Sequence, residues 1–154
     1  MAGREEYHVT AHPDRALLFA SAAFAGAAGV GSAVAIRDQL PGQPLGVTIP
    51  LPVRAGLLAA WGAGVAAPWP MPAVAVIAAA RAQRTGPSAA AGKLCVAIGA
   101  SCVFGTAVEP VTWRPRSWSP AAGLAIAGNL ATSAALIVTG WRHATAARRE
   151  RACG

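Results

Sequence analysis

Four long stretches of this chain carry no charge, and that absence limits its possible folds more than any motif does. Arg15 and Arg37, Arg54 and Arg81, Lys93 and Glu109, and Arg116 and Arg142 bracket runs free of Asp, Glu, Lys and Arg. Ala, Gly, Val, Leu and Ile fill most of each run. In lipid every backbone polar group must find its partner inside the protein, so long apolar runs are stable there as helices. A soluble bundle rich in Ala would give each helix a polar face, and these runs are apolar all round. Charged residues make up 12% of the 154, about half the share usual in soluble domains. The expected fold class is therefore all-α: an integral membrane four-helix bundle with antiparallel up-down topology.

The net charge of +7 does not point to nucleic acid, because the basic residues sit at the ends of apolar runs and form no continuous face. Topology explains them better. The amino terminus, the second loop and the tail hold nine Lys and Arg; the first and third loops hold Arg37, Arg54, Arg114 and Arg116. The positive-inside rule then puts both termini in the cytoplasm and the chain in the cell membrane. Trp113 and Trp118 mark the outer interface and Trp141 the inner one. Cys95, Cys102 and Cys153 form no CxxC or metal spacing and read as small apolar side chains.

The spans follow in order. Residues 1–15 form a cytoplasmic amino terminus and residues 16–141 the membrane domain. The first span, 16–36, is 21 residues long, about 31 Å as a helix against a core of about 30 Å. Ser21, Ala25, Gly29 and Ala33 recur every fourth residue and predict a close helix contact. Ala33-Val34-Ala35 resembles a signal-peptide cleavage site, but Glu5, Glu6 and Asp14 lie ahead of a run longer than such signals have. A proline-rich loop, 37–54, leads to the second span, 55–80. The third span is expected at 88–109, with Lys93 snorkelling to the headgroups. Ser119-Pro120 is an N-cap followed by proline at the first helical position, opening the fourth span at 120–141. Residues 142–154 form a basic cytoplasmic tail, disordered or lying on the surface.

A few residues stand out as candidates for function. Pro68, Trp69, Pro70, Met71 and Pro72 interrupt the second span; alternate prolines remove backbone donors and push the preceding residues toward extended backbone. Such a break can line a substrate site, or it can end the helix near the inner interface. Counting from Arg54, Pro68 falls about 20 Å inward, which favours the second reading. Glu109 continues a ridge through Ala97, Ser101 and Gly105. It can bind a cation or relay protons, and pairing with Arg114 and Arg116 is the simpler role. Asn129 falls near the midplane with Thr132 and Ser133 on its face and Ser101 at matching depth. These groups are hydrogen-bonding glue between helices or, as the minority reading, a polar site. His8, His12 and His143 lie outside the spans, so no haem, metal or other cofactor is expected. No nucleophile–base pair marks an enzyme.

The stretch Gly105-Thr106-Ala107-Val108-Glu109-Pro110-Val111-Thr112, followed by a final helix bearing Asn129, resembles small uncharacterised four-helix integral membrane proteins of actinobacteria. The resemblance covers roughly the last 50 residues; it implies the same architecture and supplies no activity. Small multidrug transporters, by contrast, carry a glutamate inside their first span, where this chain has none. Vitamin K epoxide reductase-like enzymes need a CxxC. The leading expectation is a non-enzymatic structural or accessory protein, a homo-oligomer or a partner of another membrane protein, with anionic lipid under the tail. The alternative is a small transporter or channel using Glu109, Asn129 and the Pro68–Pro72 break.

Overall fold

The computed structural model describes residues 15–59, 61–63, 65–114 and 119–153. Expectations resting on the amino-terminal histidines and acids, on Arg116 or on Trp118 lie outside them. Five helices follow in order: α1 Arg15–Arg37, α2 Val53–Ala59, α3 Pro70–Thr85, α4 Ala89–Val108 and α5 Pro120–Cys153. Among the described residues the remainder is turns, two short 3₁₀ segments and two isolated bridges. α1, α4 and α5 are long and apolar enough to cross a membrane. α1 packs on α5 and α3, and α4 packs on the same two, with α4 and α5 sharing the most extensive contact.

The helix starts follow local chemistry. Ser88 caps α4 by accepting from the Ala91 N–H at 3.3 Å; Ser119 does the same for α5, accepting from Ala122 at 3.1 Å. Ser119 also donates to Asp38 at 2.9 Å, tying the end of α1 to the start of α5. The Arg37 guanidinium, hydrogen-bonded to Asp38, and then the Ser119 hydroxyl hold that carboxyl below its ordinary range. Within the helices Ser21, Ser32, Thr132 and Thr139 donate to carbonyls one turn back, which satisfies each hydroxyl inside its own helix.

The small-residue contacts are real but lie on other faces than the spacing suggested. Gly29 and Ala33 are exposed, and a Cβ added at Gly29 would meet nothing. The buried stripe of α1 runs through Leu17, Ser21, Phe24, Ala28, Gly31 and Ala35. α4 and α5 meet through Gly92, Gly99 and Gly140: a Cβ at Gly92 would lie 2.5 Å from the Gly140 carbonyl oxygen, and one at Gly140 2.7 Å from that of Gly92. The rows beginning at Ser21 and Ala97 are both four residues apart, and spacing alone cannot say which of several small-residue rows faces inward.

The second span is not one broken helix. α2 ends at Ala59, and α3 starts at Pro70 with proline at its first position, where a missing N–H costs nothing. The chain between folds back on α2: Gly62 N–H donates to Gly56 O at 3.0 Å and Trp69 N–H to Leu57 O at 2.9 Å. Ala63 and Ala66 exchange backbone bonds at 3.1 and 3.0 Å. Gly62 has φ +87°, a left-handed turn that glycine takes without a Cβ penalty. Because these residues double back, Trp69 sits beside Ser32, donating to its hydroxyl at 2.9 Å, five residues before the Arg37 end of α1. The count that placed Pro68 deep toward the opposite end assumed a continuous helical rise, and the fold-back removes that rise.

Nor is the tail a loose appendage. α5 continues to Cys153, with His143, Ala144 and Ala147 buried. The His143 imidazole accepts the Ser88 N–H at 3.2 Å, joining α5 to the start of α4, and Arg148 stacks over Trp141 at 5.9 Å.

Candidate functional site

The site begins where α4 stops. Pro110 pushes the residue before it out of helical backbone, and Glu109 accordingly has φ −79° and ψ 126°. That turn carries the Glu109 carboxylate to the Arg37 end of the molecule, beside the first loop. Both carboxylate oxygens accept the Gln43 backbone N–H, at 2.8 and 3.1 Å, and the Trp61 indole N–H adds a bond of 3.3 Å. Space is tight at Gly42, where a Cβ would lie 3.2 Å from the Trp61 ring and 3.3 Å from the Gly62 carbonyl oxygen. Sequence reasoning paired Glu109 with Arg114 and Arg116. Its bonds among the described residues come instead from neutral N–H groups, and it is only 4% exposed.

One turn earlier on the same face stands Thr106. Its hydroxyl accepts from the Asn129 amide at 3.0 Å across the α4–α5 contact, not from a pairing of Asn129 with Ser101. Asn129 is 3% exposed, and its Oδ1 finds no partner among the described residues. A buried acceptor left without a donor is uncommon and calls for a cause.

Glu109, Thr106 and Asn129 line one cavity of about 320 Å³. Pro68, Met71, Trp61 and the buried Ala63, Ala66 and Ala67 form one wall; Ser101, Cys102, Phe104 and Gly105 form the other. Phe104 and Ser101 are exposed, so the cavity opens sideways between α4 and the folded-back segment. The walls are mostly apolar, with Met71 and Cys102 sulfurs 3.6 Å apart. The polar groups gather at the Arg37 end.

The structure thus brings together Glu109, Asn129, Ser101 and Pro68. Trp69 and Pro72 line a separate open groove against α1, and Pro70 starts α3. Thr132 is spent on the Gly128 carbonyl at 2.7 Å. Ser133 is buried between α4 and α5, its hydroxyl without a partner among the described residues. Thr106, Trp61 and Gln43 were missed. Thr106 lies three residues before Glu109 and so shares its helix face, a signal that was available. Gln43 acts through its backbone, which no side-chain pattern reveals. Among the described residues no group of three His, Cys, Asp or Glu gathers to hold a metal. No family model, curated protein or solved structure matches the chain, so the geometry carries the functional argument.

Proposed function

We propose that this chain is a multi-pass protein of the cell membrane, an antiparallel up-down four-helix bundle with both termini cytoplasmic, that holds a small solute in the Glu109–Asn129 cavity. Large apolar side chains standing on the outside of the helices support membrane insertion: Phe19, Val30, Ile77, Leu94, Leu124 and Val138 are all exposed, where a soluble protein would place charge. Nine of the thirteen Lys and Arg lie on the side assigned to the cytoplasm, which supports the orientation. The likeness to small four-helix actinobacterial proteins supports the same architecture.

The observation that carries the binding role is a cavity holding a buried carboxylate and a buried amide in otherwise apolar walls. Pockets of that make-up, with a few convergent polar groups, are the usual form of a small-molecule site. The test uses Ser101→Cys in a background without Cys95, Cys102 and Cys153, reconstituted in membranes. A small water-soluble thiosulfonate should modify it, and Gly105→Leu should slow the reaction. Gly105 is among the lining residues and a Cβ there meets nothing within 4 Å, so a leucine can be placed at the cavity wall without striking its neighbours. Failure of Gly105→Leu to protect the cysteine would remove the reading.

A second reading, an accessory role through contact with another copy or another membrane protein, has support in Gly26, Gly29 and Gly128. Each would accept a Cβ into open space, and small residues on a lipid-facing surface let helices approach closely. Gly29→Leu should then lower the yield of cross-linked oligomer in native membranes; an unchanged yield counts against it.

A further inference from the structure

We infer that the solute held in the cavity is a small organic cation carrying an N–H donor, a protonated amine with an apolar body. This rests on the binding role proposed above and adds the chemical class of the ligand.

Among the described residues, the groups that hydrogen-bond the Glu109 carboxylate are the Gln43 N–H and the Trp61 N–H. They satisfy lone pairs and fix the oxygens, but they carry no charge. A carboxylate held this way inside an apolar wall still gains from a cation brought beside it. Asn129 lines the same cavity, but its amide nitrogen is committed to Thr106 and its Oδ1 is closed off from solvent, so the carboxylate is the group that selects. A lone anion among apolar walls favours a cation and rejects an anionic ligand.

The rest of the wall decides between a metal ion and an organic cation. A hard cation such as sodium or calcium needs about six oxygen ligands, whereas this wall is made largely of carbon and sulfur. Trp61 and Phe104 bring aromatic rings to the lining, and such rings attract an ammonium. Met71 and Cys102 give polarisable surface to an apolar body. At about 320 Å³ the space is at the small end of the range for ligand sites, about 300–1,000 Å³. One ring and a short aminoalkyl arm fit that size.

The probe is 2-phenylethylamine, protonated at pH 7, compared with the neutral isostere 2-phenylethanol by calorimetric titration of the full chain in detergent. Binding of the amine should be tighter than that of the alcohol by about tenfold or more, the scale of one charge-assisted hydrogen bond. Glu109→Gln should abolish that preference. Because Glu109→Gln could loosen the first loop, Gly105→Leu serves as a second variant. It should exclude both probes from a chain that keeps its melting temperature. Equal affinity for the two probes, unaltered by Glu109→Gln, would overturn the cation class and leave the cavity reading standing. Binding of neither probe would overturn both.

Discussion

A glycine is replaceable here according to what its missing Cβ would strike. At Gly92 and Gly140 that atom would run into the backbone of the facing helix, which cannot move aside. Gly92→Val should therefore destabilise the chain by about 1–3 kcal/mol, the range for overpacking, read as a lower melting temperature in detergent. Gly29→Val, into open space, should leave the melting temperature nearly unchanged. Asp38 makes a different kind of prediction. Its pKa is lowered by the Arg37 and Ser119 hydrogen bonds, so its contribution is present above the ordinary carboxylate pKa of about 3.9. It is lost as pH falls through the lower folded value. Melting temperature should drop on acidification below about pH 4, and Asp38→Asn should flatten that part of the profile. At this scale the sequence was partly legible. Glu109, Asn129 and Ser101 stood out because charge and amides are rare in apolar runs, with an ion pair and interhelix glue as the favoured readings and a polar site as the minority one; in the structure all three line the cavity. Their partners were not legible, since Gln43 and Trp61 reach Glu109 only after the first loop and the segment after α2 fold over the end of α4.

Helices obeyed their local signals where the signal was a cap and departed from them where it was a count. The start of α5 was read from the cap at Ser119-Pro120, whereas a start near Ser88 for α4 came from the length a span needs and the structure adds the cap; the end of α4 at Glu109-Pro110 follows a local rule as well. Ser88→Ala should cost about 1 kcal/mol. Ser119→Ala should cost more, because it also removes the bond to Asp38; comparing the two melting temperatures checks the difference. The interrupted second span shows the limit. Three alternate prolines announce that helix stops, but which way the freed backbone turns depends on partners elsewhere. Leu57 accepts the Trp69 N–H, and Gly31 of α1 lets the segment in, since a Cβ there would lie 2.5 Å from the Val65 carbonyl oxygen. Trp69→Phe should remove only the bond to Ser32, a loss of about 0.6 kcal/mol, and leave the turn in place.

For the molecule as a whole, the charge-free runs foretold an all-helical chain with four spans. Among the described residues the chain is helical, and three of its helices are long and apolar enough to cross a membrane; the length expected of the second span is divided between the shorter α2 and α3. Orientation is testable through the cysteines, of which Cys153 is exposed and Cys95 and Cys102 are buried. In intact cells an impermeant maleimide should leave Cys153 unlabelled; opening the membrane should expose it, while the other two wait for denaturant. Labelling of Cys153 in intact cells would reverse the topology. α5 adds a mechanical point. Its 34 residues measure about 51 Å, well beyond a hydrocarbon core of about 30 Å, and its lower part is clamped to α4 by His143 and the glycine seam. Beyond that clamp Ala147 is still buried, and Glu150 and Arg151 stand across a shared pocket from Thr85 to Ala90, so a tilt of α5 would be passed on to the turn between α3 and α4 rather than lost at a free end.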